Sequence, residues 1–502
     1  MTFSNHKIVL AVLLFMSSVT SVMAQQSAHL EFELTAEGAL SSGTYTPYML
    51  TVNRFDVLSP RANTGYMSAG INGDLQFTKH WNVAGGLTAM SSVHSNHKAY
   101  LQELYFNATY RKVNFEVGVR QRNTPTLNAL LTSGDLIFSG NAKPIPTFHV
   151  STTGFVEVPY LKKWLEAYAD FGYGRLFDQK YSEDRFELFH ESHFGSFFTR
   201  DVYFHHKQLY LRSNSSHPFY VTVGMQHAVY FGGVKTSYDT GEKKESGKKK
   251  IKPADFMRVL IPKSDATAGN AGDSFVYGNH LGIWYLDFNY QRNNHLLRAY
   301  MEKPFEDGSG IAFRNGLDGL WGFEYASKQT SGIIPVKGIV FEYLQTTNQS
   351  GPIHWAPGDF NSEISQKLPS EATGADNYYN NFFYNGYCYY GLSVGSALLK
   401  SPYYNEDNYL NYTDNRVQAW HLGVNGDITA HFGYLLKSSY REGLGTPFVP
   451  LPVKNHSFDS LIQVDWHQGP WQCAAAFAIT QGNIYGNTYG FDVKITYHGK
   501  IL

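Results

Sequence analysis

The chain has 502 residues, with 41 Lys and Arg against 42 Asp and Glu, a formal net charge of -1. Charged residues make up only 17 %, below the roughly 25 % usual in soluble domains, while aromatic residues reach 16 % and mean hydropathy is -0.32. These figures exclude a disordered chain and a helical membrane protein, and the missing basic excess removes nucleic acid as a partner.

Residues 1–24 read as a secretory signal. Lys7 supplies the positive start, residues 8–16 the short apolar core, and Val22-Met23-Ala24 the small residues before a cut at Gln25. A transmembrane anchor is the competing reading, but the apolar run falls far short of the roughly 20 residues a spanning helix needs. No Cys follows the cut, so a lipoprotein anchor is not indicated. The remainder, 25–502, is expected to form one barrel with an internal plug and surface loops.

Beyond the leader, the longest uninterrupted apolar run is 473–479, too short for a helix to cross a bilayer. The dominant signal is alternation with period two. Strand-like stretches occur at 30–35, 66–77, 81–89, 100–110, 114–120, 165–173, 208–212, 296–301, 338–344, 419–424 and 432–437. The alternation is sharpest in six further windows. Apolar positions there are Phe219, Val221, Val223 and Met225; Trp284, Leu286, Phe288 and Tyr290; and Trp321, Phe323 and Tyr325. The series continues with Ile462, Val464 and Trp466; Trp471, Cys473, Ala475, Phe477 and Ile479; and Phe491, Val493, Ile495 and Tyr497. Successive strand side chains point to opposite faces, so each window has one apolar and one mixed face. The apolar faces carry no charge, whereas the opposite faces carry Asp287, Glu324, Asp465, Asp492 and Lys494.

A soluble β-sandwich or propeller also alternates, but no repeat of propeller length is present. A Lys or Arg facing lipid at mid-bilayer costs about 2–4 kcal/mol, and aromatic strand ends suit membrane interfaces. With one or two strands expected near Cys388, the fold class is all-β: a transmembrane antiparallel β-barrel of about 18 strands, its lumen plugged. At roughly 10 residues per tilted strand, much of the chain is left for loops and a plug.

Three long connections stand out. The first, 124–163, holds Ser133-Gly134-Asp135 and prolines 144 and 146, which cannot sit inside a paired ladder. The second, 236–252, includes the run EKKESGKKKIK, expected to be a solvated loop or an attractor for an anionic polysaccharide or lipopolysaccharide phosphate. The third, 348–386, ends in a Tyr/Asn cluster, either an interfacial girdle or a saccharide platform of aromatic faces and amides. The candidate polysaccharide-binding residues are Tyr378, Tyr379, Asn380, Asn381, Tyr384, Lys248 and Lys249.

Motifs of catalysis are sparse. Gly391-Leu392-Ser393-Val394-Gly395 fits a nucleophile elbow, but no helix-forming run follows Ser393. Gly272-Asp273-Ser274 stands equally alone. His190-Glu191-Ser192-His193 lacks the spacing of zinc proteases, and His205 and His206 would face opposite sides of a strand. No catalytic residue, metal site or cofactor is therefore expected. Cys388 and Cys473 are the two cysteines, and their spacing of 85 positions leaves a bridge neither required nor excluded.

Several irregular segments carry a resemblance. Thr46-Pro47-Tyr48-Met49-Leu50 with Asn53-Arg54, the run from Ser139 through Pro146, and the run from His205 through Arg212 are three of them. Gly278-Asn279-His280-Leu281-Gly282, the run from Gly386 through Gly395, and Asn415-Arg416-Val417 complete the set. Together they make the chain similar to the capsule assembly Wzi family, in its Bacteroidetes-type form. Lys143 stands where Arg is expected, and Tyr387 where Trp is expected. The resemblance implies an outer-membrane barrel of about 18 strands with a largely closed lumen. It also implies a lectin-like, non-enzymatic protein that binds capsular or extracellular polysaccharide and helps assemble or retain the capsule. Its other partner would be outer-membrane lipid. The alternatives are a passive channel (porin) or polysaccharide export conduit and, more remotely, a hydrolase using Ser393.

Overall fold

The computed structural model describes residues 28–502 except 96–97, 162, 191–196, 240–241, 247–250, 261–277, 307, 329–335, 351–375 and 382. The leader at 1–24, Lys248 and Lys249, the 272–274 motif, and Glu191, Ser192 and His193 lie outside the described residues.

The alternating stretches form eighteen barrel strands. The first six are β1 (Ala28–Ser41), β2 (Thr64–Gln76), β3 (Trp81–Val93), β4 (Ala99–Tyr110), β5 (Val113–Val119) and β6 (Thr147–Thr152). Next come β7 (Leu165–Arg175), β8 (Phe197–Ser213), β9 (Phe219–Asp239), β10 (Asn279–Arg292), β11 (His295–Phe305) and β12 (Gly319–Ser327). The last are β13 (Gly338–Gln345), β14 (Val417–Asp427), β15 (Phe432–Gly445), β16 (Pro450–Gln468), β17 (Trp471–Gly482) and β18 (Thr488–Lys500). Each pairs antiparallel with its sequence neighbours, and β1 meets β18 from Glu31 opposite Lys500 to Ser41 opposite Gly490. Closure removes the free edges that would expose unpaired backbone.

The predicted faces are realised. Phe219, Val223, Phe288, Phe323, Phe341, Ile462, Phe477 and Phe491 are exposed on the outside, each with 45–58 % of its surface accessible. Their alternates Asp287, Glu324, Glu342, Asp459 and Asp492 are buried on the inside. The outer face carries two aromatic bands. Near the short turns, Trp81 pairs with Tyr110 and Trp471 with Tyr497, both at 4.8 Å between ring centroids. Towards the other end, Trp321, Tyr343, Trp420, Tyr440 and Phe458 oppose one another in turn across five strands. Such paired girdles flank the apolar belt of membrane barrels. On β7–β9 the outer wall is covered instead, because Ile251, Phe256 and Val259 pack on Tyr173, Tyr203, Val229 and Phe231.

Connections at one end are tight, as at 111–112, 293–294 and 469–470, whereas those at the opposite end include 42–63, 120–146 and 346–416. The helices α1 (Tyr48–Thr51), α2 (Gln179–His190), α3 (Pro253–Arg258) and α4 (Gly308–Ile311) all belong to the long-connection end.

Two expectations need correction. The 124–163 connection is not wholly irregular: Thr147–Thr152 follows Pro146 directly and pairs with β5 and β7, completing the barrel. Among the described residues near Cys388 there is no barrel strand. Cys388–Tyr389 and Leu392–Ser393 form their own two-stranded hairpin, fully buried within the ring.

Candidate functional site

Three irregular segments lie against the inner face of the wall, and each is held by polar groups that the strands project inward. The first, 44–61, contains α1, whose four residues are all buried. Its Tyr48 N–H donates to Thr480 Oγ1 at 3.0 Å, and Arg54 pairs with Glu37 of β1 at 2.6 Å. Asn53, Phe55 and Asp56 take left-handed backbone angles of 53–57°, which turn the chain back towards the wall. Burial raises the Asp56 carboxyl to about 7, against the attraction of Lys143. Lys143, lowered by its own burial, rests its ammonium over the Tyr100 ring at 3.3 Å from the centroid.

The second segment, 124–146, is gripped by wall carboxylates. Glu342 accepts from Thr132 Oγ1 and from the Ser133 N–H, both at 2.6 Å, and Glu302 accepts from the Leu136 N–H at 2.9 Å. Asn128 donates to Glu324 at 2.9 Å, while His421 meets the Leu131 carbonyl at 2.8 Å. Carboxylates on a water-filled inner wall would be solvated; here backbone N–H, hydroxyl and amide donors of the segment replace the water.

The third segment, 376–416, is pinned by tyrosines. Tyr379 donates to the Leu136 carbonyl. Tyr387 donates to Ile137 O at 3.0 Å, Tyr384 to Gly232 O at 3.1 Å, and Tyr412 to Tyr387 O at 3.0 Å. The Ser139-to-Pro146 run touches the Gly386-to-Gly395 run directly, with Ser139 Oγ donating to Gly395 O at 2.6 Å. Most of the segments that carried the family resemblance are therefore the ones that meet inside the ring.

This placement corrects the expected saccharide platform. Tyr378, Tyr379 and Tyr384 are 2 %, 6 % and 3 % exposed, so no ring face is free to stack on sugar. Asn380 exchanges two hydrogen bonds with the Tyr412 backbone at 2.8 and 2.9 Å, and Asn381 Oδ1 accepts from the N–H groups of Phe383 and Tyr384. These residues fold the segment on itself because a phenol inside a barrel must find an acceptor, and loop carbonyls supply it. The lysine run also differs from a solvated loop over its first half. Glu242–Ser246 pairs with the end of β9, and Lys243 bridges to Glu183 and Glu187 of α2 at 2.9 and 3.0 Å.

Ser393 is fully buried in the small hairpin, where its N–H donates to Ser401 Oγ at 3.1 Å, rather than at a strand-to-helix turn. His205 and His206 do point to opposite faces: His205 meets the Gly172 carbonyl at 2.8 Å, while His206 turns inward to Asp170 at 3.4 Å. Both cysteines are free, Cys388 inside the ring and Cys473 on the apolar outer face of β17.

The segments leave space on the short-turn side. A cavity of about 930 Å³ runs from Gly469 and Pro470 up to Asn53, Phe55 and Gln102, and a neighbour of about 460 Å³ shares Arg54, Gln472 and Lys494 with it. Sequence reasoning missed the wall anchors Glu302, Glu342, Arg441 and Asp459. Their signal was present, since each is a charge at an inward position of an alternating strand.

Comparison with solved structures finds Wzi of Escherichia coli, an outer membrane protein involved in group 1 capsule assembly and a carbohydrate-binding β-barrel. The TM-score is 0.55 at 12 % identity, covering 99 % of this chain and 89 % of that one. OccK5 of Pseudomonas aeruginosa matches with a TM-score of 0.46 at 9 % identity, over 95 % of this chain and 99 % of that one. OmpT of Vibrio cholerae gives 0.38 at 6 %, over 94 % and 98 %. Identities this low carry the likeness of fold alone. No family model matches the sequence, and no curated protein does either.

Proposed function

We propose that the chain is a non-enzymatic outer-membrane barrel of the Wzi kind. In this reading it binds capsular or extracellular polysaccharide at the cell surface and helps assemble or retain it there. The observation that carries the reading is the set of bonds from the wall to the three inner segments. A diffusion pore needs an inner wall lined by water, whereas Glu302, Glu342 and Glu324 each accept at least one hydrogen bond from residues 128–136. The apolar belt between two aromatic bands supports placement in a membrane, with the long connections outside and the tight turns in the periplasm. The likeness to Wzi, a carbohydrate-binding β-barrel, supports the choice of ligand.

A passive channel is the second reading, favoured by the two cavities that meet at Arg54, Gln472 and Lys494. One pair of measurements separates the two. Purified protein in detergent is expected to retain the producing strain's surface polysaccharide and to pass no steady current in planar bilayers. Stepwise conductance without polysaccharide retention would establish the channel instead.

A further inference from the structure

At the mouth of the barrel, on the long-connection side, a groove of about 400 Å³ opens between α2 and the upper ends of β8 and β9. We propose that it is a subsite for an uncharged, hydroxyl-rich sugar unit of the surface polysaccharide. This assignment rests on the polysaccharide-binding reading and gives it a place and a chemistry.

Three independent features mark the groove. The first is its lining of alternating charge. Glu183 comes from α2, Arg200 and Asp201 from β8, and Lys243 and Glu245 from the short strand Glu242–Ser246 that pairs antiparallel with the end of β9. They form a chain of ion pairs: Arg200 to Asp201 at 2.9 Å, Arg200 to Glu245 at 2.6 Å, and Lys243 to Glu183 at 2.9 Å. A carboxylate has about four lone-pair sites and a cation several N–H donors, so each pair retains capacity for a hydroxyl, which both donates and accepts.

The second feature is the backbone that aims Asp201. It sits within β8 at a φ of +58°, opposite Gly233 at +87°, where the register of the two strands skips a pair. Irregularities of this kind re-aim a side chain, and left-handed non-glycine residues gather at functional sites. The third is Thr236 on the groove floor. It is 1 % exposed, lines the cavity, and its hydroxyl has no partner among the described residues. A buried hydroxyl left unbonded is costly unless a ligand completes it.

The charge decides the class of sugar. With Arg175 on Asp201 at 2.5 Å and Glu187 on Lys243 at 3.0 Å, four carboxylates meet three cations and each of these cations is already paired, so a uronate or sulfated unit would find none of them free, whereas a neutral hexose needs none. A pocket of this size lies at the lower end of ligand clefts, fitting a short stretch of chain rather than a long one. Low affinity per unit would be multiplied along a polymer that meets many barrels.

The test uses the full protein in detergent micelles, with oligosaccharides released from the producing strain's own surface polysaccharide, before and after carboxyl reduction. The wild type is expected to bind both forms within twofold of each other. Arg200→Ala and Glu183→Gln are expected to weaken binding at least tenfold, and Thr236→Val at least threefold. Thr236→Val and Glu183→Gln preserve shape, and gel heat-modifiability reports that the barrel has formed. If the wild type binds and those two variants bind equally well, the groove is not the subsite. Binding lost on carboxyl reduction would overturn the neutral-sugar assignment. A wild type that binds neither form would instead defeat the polysaccharide reading itself.

Discussion

The guanidinium of Arg441 on β15 donates to Asp459 on β16 at 2.9 Å, with the two side chains 1 % and 0 % exposed. The same group packs against the mutually stacked rings of Tyr48 and Tyr485, at 4.1 and 4.4 Å from their centroids, and reaches the carbonyls of Ala397 and Leu398. One wall residue thus ties the first and third inner segments to the barrel. Removing one partner of a buried pair strands the other charge, at a cost of about 3–5 kcal/mol. Arg441→Met is expected to lower the urea midpoint of folding into micelles and to open the first segment to trypsin after Arg54. Arg441→Met combined with Asp459→Leu should recover most of the lost stability, because neither charge is then left alone.

Glu302 and Glu342 hold the 124–146 segment through its own backbone. Replacing both with Ala leaves the N–H groups of Ser133 and Leu136 without their acceptors, at about 1–3 kcal/mol for each buried group. The double variant is expected to show flickering openings in planar bilayers where the wild type is silent. A variant as silent as the wild type would mean that other contacts close the lumen.

Asp56 links stability to pH. Burial raises its carboxyl from 3.8 to about 7, so the folded state binds a proton that the unfolded chain has already released. Its contribution is complete below about pH 4 and is lost as pH rises through 7. Wild-type stability should therefore decline from pH 4 to pH 7, and Asp56→Asn should flatten that slope. Equal slopes in the two proteins would show that Asp56 ionises normally.

The outer face carries a different penalty. Phe477, 45 % exposed in the apolar belt of β17, is expected to cost about 2–4 kcal/mol when replaced by Lys, measured as reversible unfolding from lipid vesicles. Val449→Lys, in the turn after β15, should be close to neutral. A small cost at Phe477 would mean that the belt does not face hydrocarbon.

Seventeen of the eighteen barrel strands were legible, because a one-sided apolar wall writes its period into the chain. The missed strand, Thr147–Thr152, is six residues long, and its neighbouring prolines dominated the local signal. The inner segments were legible only as irregular and polar. Tyr378, Tyr379 and Tyr384 look alike on a surface loop and inside a ring; the acceptors that decide between them, such as Leu136 O and Gly232 O, lie 150 residues or more away in sequence. The mouth groove was equally hidden, since Glu183, Asp201 and Thr236 meet only once α2 folds against β8 and β9.

The most direct test of polysaccharide retention is made on cells. In a strain lacking this protein, the cell-associated fraction of surface polysaccharide is measured against the fraction shed into the medium, with and without the restored wild-type chain. The account predicts that total synthesis is unchanged while most of the polymer moves to the medium, and that restoration returns it to the cells. An unchanged cell-associated fraction in the deletion strain would contradict it.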